Sequence, residues 1–407
     1  MELSGKKLYI FLFLSNSFIF FFQGIAKNIY TPLVSPFKEV LAISSAQAGF
    51  LITLVFLGYA LARFPSGVLT DVLGCERTIL LGSGLMGITL ILVGFSQTYI
   101  FLALFTFIMG VSTGLYVTAG YTYAVNVGFR DRETTFTALF ELFGGGAALL
   151  APMMVVWYLE DWELGWQNIF FTLGIGVVLA GLLFYRFTRA RLEQEEGTRN
   201  RFSRDEFKEE VLQALGIFKK PGIRRFVIWA TLVGGLGHFA NLGFSSFIPS
   251  YLYEVRGYEF STANQMFMII SIAGLVTKIF VGWLADKVGN KKVLSGILLT
   301  NLVLFYVFTA DVGHLLTVVI LVLFGFTFVN HNTLINSYML KVMPEEQRGT
   351  GFGLFCTLYT VIYSMGPVVT GFFSDHFSMV FGMRTAAVGI IAAGILIRKF
   401  DTIVGRC

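Results

Sequence analysis

Charge is what this chain has least of: Asp, Glu, Lys and Arg make up 14% of its 407 residues, against 55% hydrophobic residues. So few polar groups cannot clothe a water-soluble surface at this length, which excludes soluble enzymes and soluble binding domains. Cysteine is nearly absent as well. Cys75, Cys356 and Cys407 lack the paired spacing of a metal site, and no disulfide framework is expected from them. Missing altogether are a phosphate-cradling glycine loop followed by lysine, a nucleophile placed with a base, and any metal-ligand cluster. Their absence argues against a nucleotide-driven pump and against a membrane-embedded enzyme, and no cofactor or metal is expected. The first apolar run follows Lys6 and Lys7 but is too long for a secretory leader and shows no small-residue cleavage site, so it reads as a retained span.

What is present is a succession of apolar runs, each about the twenty residues a helix needs to cross a hydrocarbon layer. Twelve are expected, near 8–32, 44–69, 78–97, 99–127, 134–158, 167–187, 224–252, 262–284, 293–310, 313–340, 350–374 and 379–398. Lipid offers the backbone no hydrogen-bonding partner, so the runs must be helices, and the fold class is an all-α membrane protein. The net charge of +5 raises nucleic acid as a partner, but its placement points elsewhere. All but six of the 30 Lys and Arg lie in the termini and the even-numbered loops. The exceptions are Lys27, Lys38, Arg256 and Arg384 near odd loops, and Arg63 and Lys278 inside spans. This positive-inside asymmetry predicts a plasma or inner membrane protein with both termini in the cytoplasm, touching membrane lipids and no nucleic acid.

One charged stretch, residues 186–225, divides the spans six and six. The expected domains are therefore 1–188, a linker over 189–222, and 223–407. Within the linker Phe207, Val211, Leu215 and Phe218 recur at helical spacing, fitting either an interfacial helix or a solvated connector. The two halves are duplicates. RFPSGVLTDVLGCER (63–77) returns as KIFVGWLADKVGNKK (278–292), and the same shift of 215 places Gly110 on Gly325, Tyr123 on Tyr338 and Pro152 on Pro367. Parallel duplication of six spans is the layout of one class of secondary transporters.

At these two loops, and over essentially its full length, the chain resembles the major facilitator superfamily, whose signature between the second and third spans is G-x-L-A-D-R-x-G-R-K. The first copy keeps Gly67, Leu69, Asp71 and Gly74. It departs at Val72, Cys75 and Glu76, where basic residues usually stand, and its Arg77 comes one place late. The second keeps Gly282, Leu284, Ala285, Asp286, Lys287, Gly289 and Lys291. The resemblance implies the major facilitator fold, two pseudo-symmetric six-helix bundles that rock about a central solute site, acting as a monomer. It also implies a cytoplasmic gate at Gly67, Asp71, Arg77, Gly282, Asp286 and Lys291. The glycines would admit a close neighbouring helix, and each carboxylate would accept from the first free N–H groups of a helix. A tight turn with topology-setting charge is the plainer alternative.

In that family the first, fourth, seventh and tenth spans line the cavity, and here those four carry polar stripes. Gln23, Lys27 and Tyr30 lie on the first, Tyr116 and Tyr123 on the fourth, His238 and Asn241 on the seventh, and His331, Asn332 and Tyr338 on the tenth. Stripes of this polarity turn away from lipid, either to a solute or to a neighbouring helix. An ionisable group inside the bilayer costs about 2.5–3.5 kcal/mol on insertion scales and needs a reason. Lys27 either reaches outer water or is a fixed cation for an anionic solute. Glu141, whose duplicate is Cys356, is a proton-coupling candidate or one half of a structural ion pair. The expected function is transport of a small organic anion with H+ as coupling ion. Multidrug export stands second, because Thr106 replaces the arginine of the exporters' fourth-span motif and Ala151 precedes Pro152 where they carry glycine. A sensor or lipid scramblase on the same scaffold is the alternative outside transport.

Overall fold

A computed structural model of the chain describes residues 5–127, 133–195, 212, 216, 221–342 and 348–398. Every regular element among the described residues is a helix. Twelve helical stretches are long and apolar enough to cross a membrane. In chain order they are Leu8–Asn28, Ser45–Leu73, Cys75–Gly94, Tyr99–Asn126, Leu139–Asp161 and Trp166–Arg189, then Arg224–Val255, Phe260–Lys278, Asn290–Phe308, His314–Ser337, Gly353–His376 and Met379–Arg398. They fall on the twelve apolar runs, because a segment with no lipid-facing hydrogen-bond partner must close its bonds within itself.

The helices end where local chemistry forces them to. The second and third spans meet at Gly74 and the eighth and ninth at Gly289, with φ of 88° and 100°. Those backbone angles carry a heavy penalty for any residue with a Cβ, which explains glycine at the corresponding position of both repeats. Each glycine's carbonyl then receives the first bond of the next helix, from Thr78 N–H and Val293 N–H respectively. The eleventh span breaks between Ser364 and Gly366 and restarts with Pro367 in the first turn of the new helix, where its missing N–H costs nothing.

Contacts group the chain into two units: Met1–Ile29 with Leu54–Leu212, and Tyr30–Thr53 with Gln213–Cys407. The grouping follows the six-plus-six repeat except for one strap, Tyr30–Thr53, which packs with the second half. It comprises a turn, the short helix Val34–Leu41 closed by Ala42 in a left-handed conformation, and the first turns of the second span. The sixth-span helix runs on to Glu195, and the helix of the seventh begins at Pro221. Phe207, Val211, Leu215 and Phe218 lie outside the described residues, so the linker reading is a proposal.

Each unit is held by the same device. In the first, a Cβ on Gly110 would run into the backbone carbonyl of Val55; in the second, one on Gly325 would run into that of Ile270. Both pairs are related by the repeat shift, and both let a fourth-type span lie directly on a second-type span, where dispersion contacts rather than hydrophobic exclusion bind helices in lipid. Aromatic clusters fill the remaining space. Phe20 stacks on Phe140 at 4.2 Å in the first unit, and Phe244 stacks on Phe305 at 3.9 Å in the second.

The close helix approach expected at Gly67 and Gly282 is not found. A Cβ at either position meets nothing within 4 Å among the described residues, because the space beside both glycines is open in this conformation.

Candidate functional site

In the first unit the site grows from the last turn of the first span. Lys27 lies there, where a cation is favoured by the carbonyl end of the helix. Its Nζ stands 5.2 Å from the ring centroid of Tyr59 on the second span, and the guanidinium of Arg63 stands 5.7 Å from the same centroid. Tyr59 and Arg63 are four residues apart and share a helix face. Two cations therefore converge on one aromatic ring near the middle of a 29-residue helix. One turn before Lys27 on its own face is Gln23, 1% exposed, whose Nε2 has no hydrogen-bond partner among the described residues. A buried amide donor without an acceptor is costly and calls for a ligand or an ordered water.

Glu141 on the fifth span joins the same neighbourhood through Tyr121. That ring packs edge-on against Phe20 at 5.4 Å and Phe140 at 5.1 Å, within electrostatic range of Glu141, Tyr59 and Arg63. Lys27 and Glu141 are not paired among the described residues. The arrangement offers two cations, one carboxylate and a spare amide donor among aromatic walls, which suits a planar anion better than a cation.

The other candidates from the first half of the chain are engaged elsewhere. Tyr116 is fully buried, and its hydroxyl lies 2.8 Å from the Asn16 carbonyl and 2.9 Å from Asn16 Oδ1, while Asn16 Nδ2 donates to the Gly120 carbonyl at 2.9 Å. That pair ties the first span to the fourth. Tyr123, 2% exposed, sets its ring edge-on to Phe184 of the sixth span at 5.1 Å. Tyr30, 1% exposed, belongs to the strap and packs on Phe37 at 6.1 Å.

In the second unit the seventh, tenth and eleventh spans bring together His238, His331, Asn332, Tyr359 and Tyr363. His238 sits edge-on to Tyr363 at 4.5 Å and beside His331 at 6.2 Å. Tyr359 donates to Asn332 Oδ1 at 2.6 Å. His331 is fully buried, with Nε2 3.4 Å from the Gly234 carbonyl and no partner on Nδ1 among the described residues. Asn241 accepts from Asn301 Nδ2 at 3.0 Å, a bond that ties the seventh span to the ninth. Tyr338 lies on the tenth helix, but its side chain is outside the described part. No group of three potential metal ligands occurs among the described residues.

At the loops, Asp71 and Asp286 are exposed and Arg77 is partly buried. Lys291 lines a small cavity in the second unit with Trp229 and Leu294. Sequence reasoning singled out Lys27 and Glu141 but missed Tyr59, Tyr359 and Tyr363. Their only signal was a partner four residues away on the same helix: Arg63 for Tyr59, and one another for Tyr359 and Tyr363.

The family model of the Major Facilitator Superfamily matches residues 17–367. Among curated relatives, the chain is 23% identical to the cis,cis-muconate transport protein of Acinetobacter baylyi, covering 88% of this chain and 86% of that protein. It is 24% identical to the sialic acid transporter NanX of Escherichia coli, covering 89% and 87%. It is 21% identical to the glycerol-3-phosphate transporter of Bacillus subtilis, covering 84% and 81%. Among solved structures it resembles a bacterial homolog of the human lysosomal transporter Spinster, inward-facing and unoccupied, with TM-score 0.79, 15% identity and 98% coverage of both chains. The nucleoside transporter NupG gives TM-score 0.74 at 15% identity, covering 97% and 98%. With twelve apolar helices, a repeated half and a family match over most of its length, the chain belongs to the Major Facilitator Superfamily and is a multi-pass membrane transporter of that family.

Proposed function

We propose that this transporter moves a small organic anion across the cell membrane by alternating access, with H+ as coupling ion, and that Lys27 and Arg63 hold the anionic group over Tyr59. The observation that carries the reading is the convergence of these two cations on one ring, with the spare donor of Gln23 alongside. Relatives named for cis,cis-muconate, sialic acid and glycerol-3-phosphate support it, since each is an acid. Charge-assisted hydrogen bonds contribute about 1.5–3 kcal/mol each. Two or three of them therefore reach the about 5.5 kcal/mol that moves a two-state equilibrium from 1:99 to 99:1. Glu141 is the proposed proton carrier. The His238 cluster contributes hydrogen-bonding and stacking groups, and Asp71 and Asp286 act at the cytoplasmic gate. The orientation remains the one the basic loops favour, with both termini cytoplasmic, and the protein works as a monomer.

Thermal unfolding of the purified chain against cis,cis-muconate, benzoate, glycerol-3-phosphate and neutral sugars tests this. A ligand that binds only the folded protein at a hundred times its Kd stabilises it by about 2.7 kcal/mol, an easily read rise in Tm. At least one acid is expected to give that rise in the parent and a much smaller one in Lys27→Met. An equal rise in Lys27→Met, or a rise with neutral sugars alone, would remove the anion reading.

A further inference from the structure

Inside the second unit, the seventh, ninth and tenth spans meet around three buried polar side chains that do not satisfy one another. Asn301 Nδ2 of the ninth span donates to Asn241 Oδ1 of the seventh at 3.0 Å. That bond leaves Asn241 Nδ2 and Asn301 Oδ1 with no partner among the described residues, although Asn241 is 2% exposed and Asn301 not at all. Turning both amides over changes only which residue keeps the spare donor, because one bond between two amides always leaves one oxygen and one NH2 group over. His331 of the tenth span makes a further demand. Its Nε2 lies against the Gly234 carbonyl, a group that only accepts, so Nε2 carries the proton and the neutral ring presents Nδ1 as a bare acceptor. Nδ1 too has no partner among the described residues. The three side chains share one neighbourhood. A Cβ at Gly237 would run into the His331 ring and come within 3.2 Å of Leu298, so the missing side chain at Gly237 is what admits the imidazole. Asn241 lies one turn beyond Gly237 and Asn301 about one turn beyond Leu298.

A buried donor or acceptor left unmade costs about 1–3 kcal/mol. An apolar occupant would meet none of these three groups, and a lone cation or anion would meet only those of one kind. A small neutral molecule whose oxygen both accepts and donates meets them all. We propose that the seventh, ninth and tenth spans enclose an internal hydration site. One water accepts from Asn241 Nδ2 and donates to Asn301 Oδ1, and a water in the adjoining turn donates to His331 Nδ1. Buried waters typically make about three hydrogen bonds, a number that these groups and a second water supply. Such bridges are nearly as favourable as direct bonds, so they tie the three helices together where side chains do not reach one another. All the groups of the site belong to the second unit.

X-ray radiolysis of the full chain in nanodiscs tests this, because a water held beside a side chain is split there into hydroxyl radical and oxidises residues that bulk water does not reach. Peptides are read by mass spectrometry. Leu298, 3% exposed, is expected to be oxidised several-fold faster than Leu12 and Leu321, which are buried at least as deeply. After a rapid switch to heavy-oxygen water, the product at Leu298 is expected to keep ordinary oxygen longer than the product at Leu164, exposed in the loop after the fifth span, since an enclosed water exchanges slowly. Asn241→Leu combined with Asn301→Leu removes the donor and acceptor together and is expected to lower the Leu298 rate. A parent rate at Leu298 no higher than at Leu321, oxygen exchange as fast as at Leu164, or an unchanged rate in the double variant overturns the proposal. Should the double variant fail to fold, the rate and the exchange in the parent chain still decide.

Discussion

Tyr59 is the residue on which the proposed site turns. A ring face attracts each cation by about 0.5–1 kcal/mol at exposed positions and about 2 kcal/mol when water is excluded, enough to fix where two flexible side chains end. Tyr59→Phe keeps the ring and is expected to keep affinity for the anion. Tyr59→Leu loses both contacts and is expected to raise KM about tenfold, with kcat changing less, measured as initial uptake rates over a solute series. A KM unchanged in Tyr59→Leu would show that the ring does not pre-organise the cations. Lys27 was legible in the sequence because an ionisable residue inside an apolar span demands a reason, whereas Tyr59 looked like any aromatic. Tyr116 and Tyr123 show the limit of a polar stripe. Helical periodicity points a face away from lipid, but it does not say whether that face meets a cavity or another helix, and these two meet Asn16 and Phe184.

At the scale of elements, the repeat shift read from the sequence reappears in the helix contacts. Gly110 on Val55 and Gly325 on Ile270 are one contact made twice, and Gly74 and Gly289 are one turn made twice. Gly110→Ala forces a methyl into a backbone carbonyl, which cannot yield as a side chain tip would. Overpacking of this kind costs about 1–3 kcal/mol, so Tm is expected to fall by several degrees, and Gly325→Ala should behave alike. A Tm unchanged in both would mean that the helices part without cost. The signature glycines Gly67 and Gly282 invited the same reading and face open space instead, because a motif marks a position without marking the conformation in which it is used. The strap was not legible at all: its partners, Glu254 and Asp375, lie more than two hundred residues away in sequence, and a cap on a distant helix leaves no periodic trace.

For the whole molecule, the charge inventory sets the expected energetics. In the proposed coupling, a proton on Glu141 removes a negative charge from the neighbourhood of Lys27 and Arg63, so that an anion is bound more tightly after the proton arrives, the elementary requirement for moving the two together. Glu141→Gln mimics the protonated form and is expected to exchange solute across the membrane while losing accumulation driven by a pH gradient. The most direct measurement is uptake of the acid identified by thermal shift into proteoliposomes, acidic outside and alkaline within, by the parent chain, Glu141→Gln and Lys27→Met. Accumulation above the outside concentration by the parent, exchange without accumulation by Glu141→Gln and neither by Lys27→Met is the predicted result. Accumulation by Lys27→Met equal to the parent, or none by the parent under any gradient, would contradict it.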